Sequence, residues 1–122
     1  MTAVVVAGAR DLDDGEALVV PKETTGSVDD IAVFRDGGDY YALNDTCTHE
    51  KASLADGWIE DGVVECPMHT GKFCLRSGEV LSMPANEDTV AHRIELVGED
   101  VVLYPGEAAV GAADRSATGG RA

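Results

Sequence analysis

An all-β domain is predicted by three features of this sequence. Helical periodicity is scarce, short runs rich in β-branched residues recur, and Gly/Asp turn signals separate them. The runs are Val4–Val6, Ala17–Val20, Ile31–Arg35, Tyr40–Asn44, Val63–Glu65, Val90–Val97 and Val101–Tyr104. Asp36-Gly37-Gly38-Asp39, Asp61-Gly62 and Gly98-Glu99-Asp100 read as hairpin turns, because Gly supplies positive φ and Asp supplies local hydrogen bonds. In the last hairpin, alternation puts Val90, His92, Ile94 and Leu96 on one face and Arg93 and Glu95 on the other.

The 122 residues fit one domain and leave no room for a separate catalytic one. A hydrophobic content of 44% supplies a core. With 9 Lys and Arg against 23 Asp and Glu, the net charge is −14, which repels nucleic acid and anionic membranes and favours a partner with a basic docking face. No run approaches the roughly eighteen apolar residues of a membrane span, and Met1 to Arg10 does not read as a signal peptide, so a cytoplasmic, monomeric protein is expected. Three cysteines, an odd number, argue for metal binding over a disulfide framework. Asp45 to Pro84 breaks the strand rhythm, as loops ordered by a metal do. Gly106–Ala122, with four Gly and six Ala among 17 residues, is expected to be a disordered tail.

Two loops carry the chemistry. Cys47-Thr48-His49 and Cys66-Pro67-Met68-His69 each offer one thiolate and one imidazole, and sixteen residues separate His49 from Cys66. A zinc finger usually draws its Cys pair from one end and its His pair from the other. Here each loop gives one of each, so each can span a two-iron cluster. Two thiolates on one iron and two imidazoles on the other are the ligands of a Rieske 2Fe–2S centre.

At these residues the sequence resembles the Rieske family, and within it the small ferredoxins that feed bacterial aromatic-ring dioxygenases. The likeness extends to Leu54 and Gly57 between the loops, to Phe73 and Leu75 after them, and to Ser77-Gly78 before Pro84. It implies an antiparallel β-sandwich with a loop-built cluster-binding subdomain: a domain over residues 1–105, the cluster-binding part at about 45–84, and the tail at 106–122. It implies one 2Fe–2S cluster, with Cys47 and Cys66 on the inner iron, His49 and His69 on the outer, and Pro84 in a loop covering it. The implied role is one-electron transfer, without a catalytic site of its own, from an NAD(P)H-dependent flavin reductase to a terminal Rieske oxygenase. Two alternatives stay open: the small subunit of an assimilatory NADH-dependent nitrite reductase, many of which have lost ligands kept here, and a zinc-bound structural or interaction module.

High-potential relatives carry an extra disulfide-bonded Cys in each loop and two hydroxyl donors to cluster sulfur. The matching positions are Ala52 and Met68, and Gly71 and Phe73. Because the reduced cluster carries one negative charge more than the oxidised one, losing donors disfavours it. Two donors at about 1–2 kcal/mol each lower a one-electron potential by on the order of 100–200 mV. The expected potential is therefore roughly −150 mV rather than +300 mV.

Other residues read as structural. Cys74 would be a fifth ligand where four suffice and is expected to be a buried small hydrophobe. His92 lies on an apolar strand face, and Trp58 is expected to pack beneath the loops. Asp45 and Glu50 read as exposed carboxylates beside the first loop. Lys51 and Lys72, two of three lysines, soften the local negative charge where a partner approaches.

Overall fold

The computed structural model describes residues 3–48, 52–68, 71–82 and 88–108. It contains two antiparallel sheets, as the all-β reading requires. β1 (Val4–Val5), β2 (Glu16–Val20), β3 (Ile31–Asp36), β4 (Asp39–Asn44), β9 (Ala91–Val97) and β10 (Asp100–Ala108) form a six-stranded sheet in the order β1-β10-β9-β4-β3-β2. β5 (Trp58–Glu60), β6 (Val63–Glu65), β7 (Lys72–Cys74) and β8 (Val80–Ser82) form a smaller sheet between β4 and β9 in the chain, in the order β5-β6-β7-β8. A single turn of α-helix, α1 (Lys22–Thr25), lies between Pro21 and Gly26, whose φ of 76° ends it.

The three hairpins fall where the turn residues place them. Gly37 and Gly38 (φ 63° and 85°) join β3 to β4, Asp61 and Gly62 (φ 54° and 78°) join β5 to β6, and Gly98 (φ 63°) starts the β9–β10 turn. Two successive positive φ values give the primed turn whose twist matches the flanking strands.

Two hydrophobic cores share β3 and β4. Ile31, Val33 and Ala42 pack with Val6, Val20, Val101 and Leu103 on one side. Ala32, Phe34 and Leu43 pack with Leu54, Val64, Phe73 and Leu75 on the other. A strand covered on both faces needs an unbroken apolar run, and Ile31-Ala32-Val33-Phe34 is fully buried throughout.

The alternation expected on β9 holds only in part. His92 is buried and Ile94 packs against the first core, but Val90 and Leu96 are exposed. β9 pairs with β4 only at Ala91 and His92, so no neighbouring strand on that side covers the hairpin's outer end. β10 continues through Ala108, three residues past the boundary drawn at Pro105. Its ladder shifts register between Tyr104 and Ala108, where Pro105 has no N–H to donate and Gly106 takes φ 85°. The Nδ1 of His92 accepts the freed Gly106 N–H at 3.0 Å, and its Nε2 lies 2.7 Å from the Asn44 Oδ1. His92 thus joins β4, β9 and β10 where their pairing is thinnest, which is the structural role expected of it.

Candidate metal centre

The small sheet and the end of β4 present two loops built alike. After β4, Thr46 and Ser53 form an antiparallel bridge, and the Cys47 N–H donates to the Ala52 carbonyl at 2.9 Å. After β6, Glu65 pairs with Lys72, and the Cys66 N–H donates to the Gly71 carbonyl at 2.7 Å. In each loop the first residue is a cysteine whose N–H closes onto the carbonyl five residues later. This fixes both Cα–Cβ directions, and both cysteines are buried in the core formed by Phe34, Leu43, Leu54, Val64 and Phe73.

The first loop has a further clamp. The Asp45 carboxylate accepts the Ser53 hydroxyl at 2.9 Å and the Ala55 N–H at 3.0 Å, while the Asp45 carbonyl accepts the Leu54 N–H at 2.7 Å. The Asp29 carboxylate accepts the Thr46 N–H at 3.2 Å and its hydroxyl at 2.9 Å. Asp45 is therefore buried and structural, contrary to its reading as an exposed carboxylate. Burial first, and then the charges of Asp29 and Asp30, push its carboxyl above the ordinary value against the pull of its two hydrogen bonds. No local signal announces this clamp, because its partners lie eight to seventeen residues away.

Gly57 shows how tightly the second loop is packed. A Cβ there would collide with the Glu65 carbonyl oxygen and press on the Leu54 carbonyl oxygen. The residue before Cys66 thus runs against bare backbone.

Of the four expected ligands, Cys47 and Cys66 are brought into one core. His49 and His69 lie outside the described residues, as do Glu50, Lys51 and Pro84. Cys74 is not brought together with the other two cysteines. It is half-buried rather than buried, because β7 turns Phe73 inward and Cys74 outward, beside Tyr41, Asp61, Gly62 and Arg76. Among the described residues no disulfide forms.

One further expectation is corrected. Trp58 does not pack beneath the loops. β5 is an edge strand whose inward residue is Ile59, and Trp58 on its outer side is 66% exposed. Met68, in the second loop, is 58% exposed.

A family model described as the Rieske [2Fe-2S] domain matches residues 2–97. The chain belongs to the Rieske family. A Rieske domain carries one 2Fe–2S cluster, and two buried thiols heading twin loops fit the sulfur half of its ligand set. Over 104 residues, 84% of this chain and 93% of the relative, this Rieske protein is 35% identical to the 3-phenylpropionate/cinnamic acid dioxygenase ferredoxin subunit of Shigella boydii serotype 4 (strain Sb227). That relative is an electron-carrying subunit of its dioxygenase rather than the catalytic one. Among solved structures, a chain in the complex of reduced oxygenase and oxidized ferredoxin in carbazole 1,9a-dioxygenase is 32% identical, with a TM-score of 0.77. The match covers 88% of this chain and 96% of that one. The ferredoxin of carbazole 1,9a-dioxygenase from Nocardioides aromaticivorans IC177 also has a TM-score of 0.77 at 29% identity, covering 86% and 99%. This Rieske chain has no helix among its described residues long and apolar enough to cross a membrane.

Proposed function

We propose that the chain is a low-potential, cytoplasmic one-electron carrier taking electrons from an NAD(P)H-dependent flavin reductase and delivering them to a terminal ring-hydroxylating oxygenase. The single observation that carries this reading is the pair of equivalent cysteine-headed loops in a Rieske chain related to dioxygenase ferredoxin subunits. The functional domain ends with β10 at Ala108, and its cluster-binding part lies at about 45–84. Cys47 and Cys66 would hold one iron of the cluster, and His49 and His69 the other.

When bound, the cluster supplies storage for one electron and offers no open coordination position to a substrate. The chain's own residues hold and shield it. The Cys47 and Cys66 N–H groups donate to Ala52 and Gly71, which ties each loop's first residue to its far end. Phe73, fully buried, lies in the core with both cysteines and brings no hydroxyl there. A low potential suits a carrier between a flavin and an oxygen-activating enzyme, and the acidic surface favours fast, weak docking.

Purified protein is expected to be red-brown, with iron and acid-labile sulfide in equal amounts and an EPR signal only when reduced. Reduced by its flavin reductase, it is expected to reduce the ring-hydroxylating oxygenase of its own host. Colourless protein holding one zinc would overturn this reading.

A further inference from the structure

The outer face of the small sheet carries a group that the core does not explain. Register puts Trp58, Glu65 and Lys72 in one cross-strand row on that face, with Glu60 two residues along β5 on the same side. Trp58 is the chain's only tryptophan and stands mostly in water. Among the described residues, neither its indole nor the carboxylates of Glu60 and Glu65 make a side-chain hydrogen bond or ion pair, and Lys72 opposite Glu65 does not reach it. An indole held in water forgoes its burial energy, and tryptophan is enriched where a partner covers it.

The flanking charges say what covers it. A second copy of this chain brings the same −14 and is repelled, as are nucleic acid and anionic lipid. A guanidinium fits: its planar face stacks on the indole while its N–H groups reach the carboxylates across from it and along β5. An ammonium, a point charge without a plane, fits less well. We propose that Trp58, with Glu65 across from it and Glu60 along its own strand, anchors an arginine on a basic docking face of the terminal oxygenase. Glu65 is bonded to Cys66, so an arginine seated there holds the acceptor beside the second cysteine loop. The inference rests on the electron-carrier reading above.

The test is stopped-flow reduction of the host's ring-hydroxylating oxygenase by the reduced holoprotein. Trp58→Ala is expected to lower the second-order rate constant about tenfold at low salt. Glu60→Gln with Glu65→Gln is expected to lower it several-fold (about three- to fivefold) and to flatten its salt dependence. In Trp58→Ala the visible spectrum, the potential and the rate of reduction by the flavin reductase stay as in the parent, and in the Glu60→Gln, Glu65→Gln protein the visible spectrum stays while the potential rises slightly. Equal oxygenase rates for Trp58→Ala and the parent, or a loss confined to the reductase step, overturn the proposal. An independent arm titrates the holoprotein with oligoarginine and oligolysine peptides and follows Trp58 emission. A saturable change with preference for arginine supports the anchor, and no change, or no preference, overturns it. Parent protein without iron, or unable to reduce the oxygenase, overturns the electron-carrier reading instead, and the peptide titration still decides whether Trp58 binds a guanidinium.

Discussion

Replacing Gly57 by alanine tests how the second loop is held. The backbone there has φ −83° and ψ −175°, which any residue adopts, so strain plays no part. The obstacle is space. The added methyl meets three backbone atoms, the Glu65 carbonyl oxygen, its carbon at 3.1 Å and the Leu54 carbonyl oxygen at 3.2 Å, and none can rotate away as a side chain would. Restoring van der Waals separation needs a shift of roughly 1 Å between the turn at Leu54–Asp56 and the end of β6. Overpacking of this kind costs about 1–3 kcal/mol. A 2 kcal/mol loss lowers the Tm of a domain this size by roughly 8–16 °C. Cys66 is the next residue, so the shift also moves a proposed ligand. Gly57→Ala is therefore expected to purify with less iron per chain and to bleach at lower temperature. Gly37→Ala is the control: nothing lies within 4 Å of its Cβ, but φ is 63°, so it is expected to lose about 1 kcal/mol with its iron content unchanged. Thermal melts followed at the visible absorbance and by far-UV CD, with iron assay, read both. A Gly57→Ala protein that melts and loads like the parent would refute the steric reasoning.

Other outcomes follow from the same structure. Burial lowers the His92 pKa, and the Gly106 N–H bond requires an unprotonated Nδ1. The unfolded chain therefore takes up this proton first, so stability is full above about pH 6.5 and falls as pH drops, by up to about 1.4 kcal/mol per unit until the native group also titrates. Urea melts between pH 7.5 and 5.5 check this, and His92→Gln should reduce the slope; an unchanged slope would count against it. Cys74→Ala is expected to leave the visible and EPR spectra unaltered, whereas His49→Ala or His69→Ala should abolish or destabilise the cluster. A Cys74→Ala protein without a cluster would show that the ligand assignment is wrong. Potentiometric titration should give a value near the low end of the Rieske range, roughly −150 mV, and a value above zero would contradict it.

Much of the fold was legible because the larger sheet announces itself. Ile31–Phe34 is an unbroken apolar run, and each hairpin carries a Gly where positive φ is needed. The strands left unread, β5, β7 and β8, have three residues each, too few for a period of two to register, and they lack the Val-Val pair beside a Gly turn that marks the equally short β6. The same shortness explains the misreading of Trp58: a large apolar residue suggests burial until its neighbour Ile59 is seen to occupy the inward position. Spacing singled out Cys47 and Cys66, and the fold brings the two into one core. The Asp45 clamp was not, since its contacts with Ser53, Ala55 and Asp30 depend on a chain reversal that no local pattern encodes.

β3 serves two masters. Ala32 and Phe34 touch the core that contains both thiols, while Ile31 and Val33 close the core beneath the six-stranded sheet. With Cys47 and Cys66 as the proposed ligands, free energy released when metal draws them together would be shared, through this one strand, with the core beneath the six-stranded sheet. Protein stripped of its metal is therefore expected to melt at a lower temperature than loaded protein, with both cores loosening together by far-UV CD.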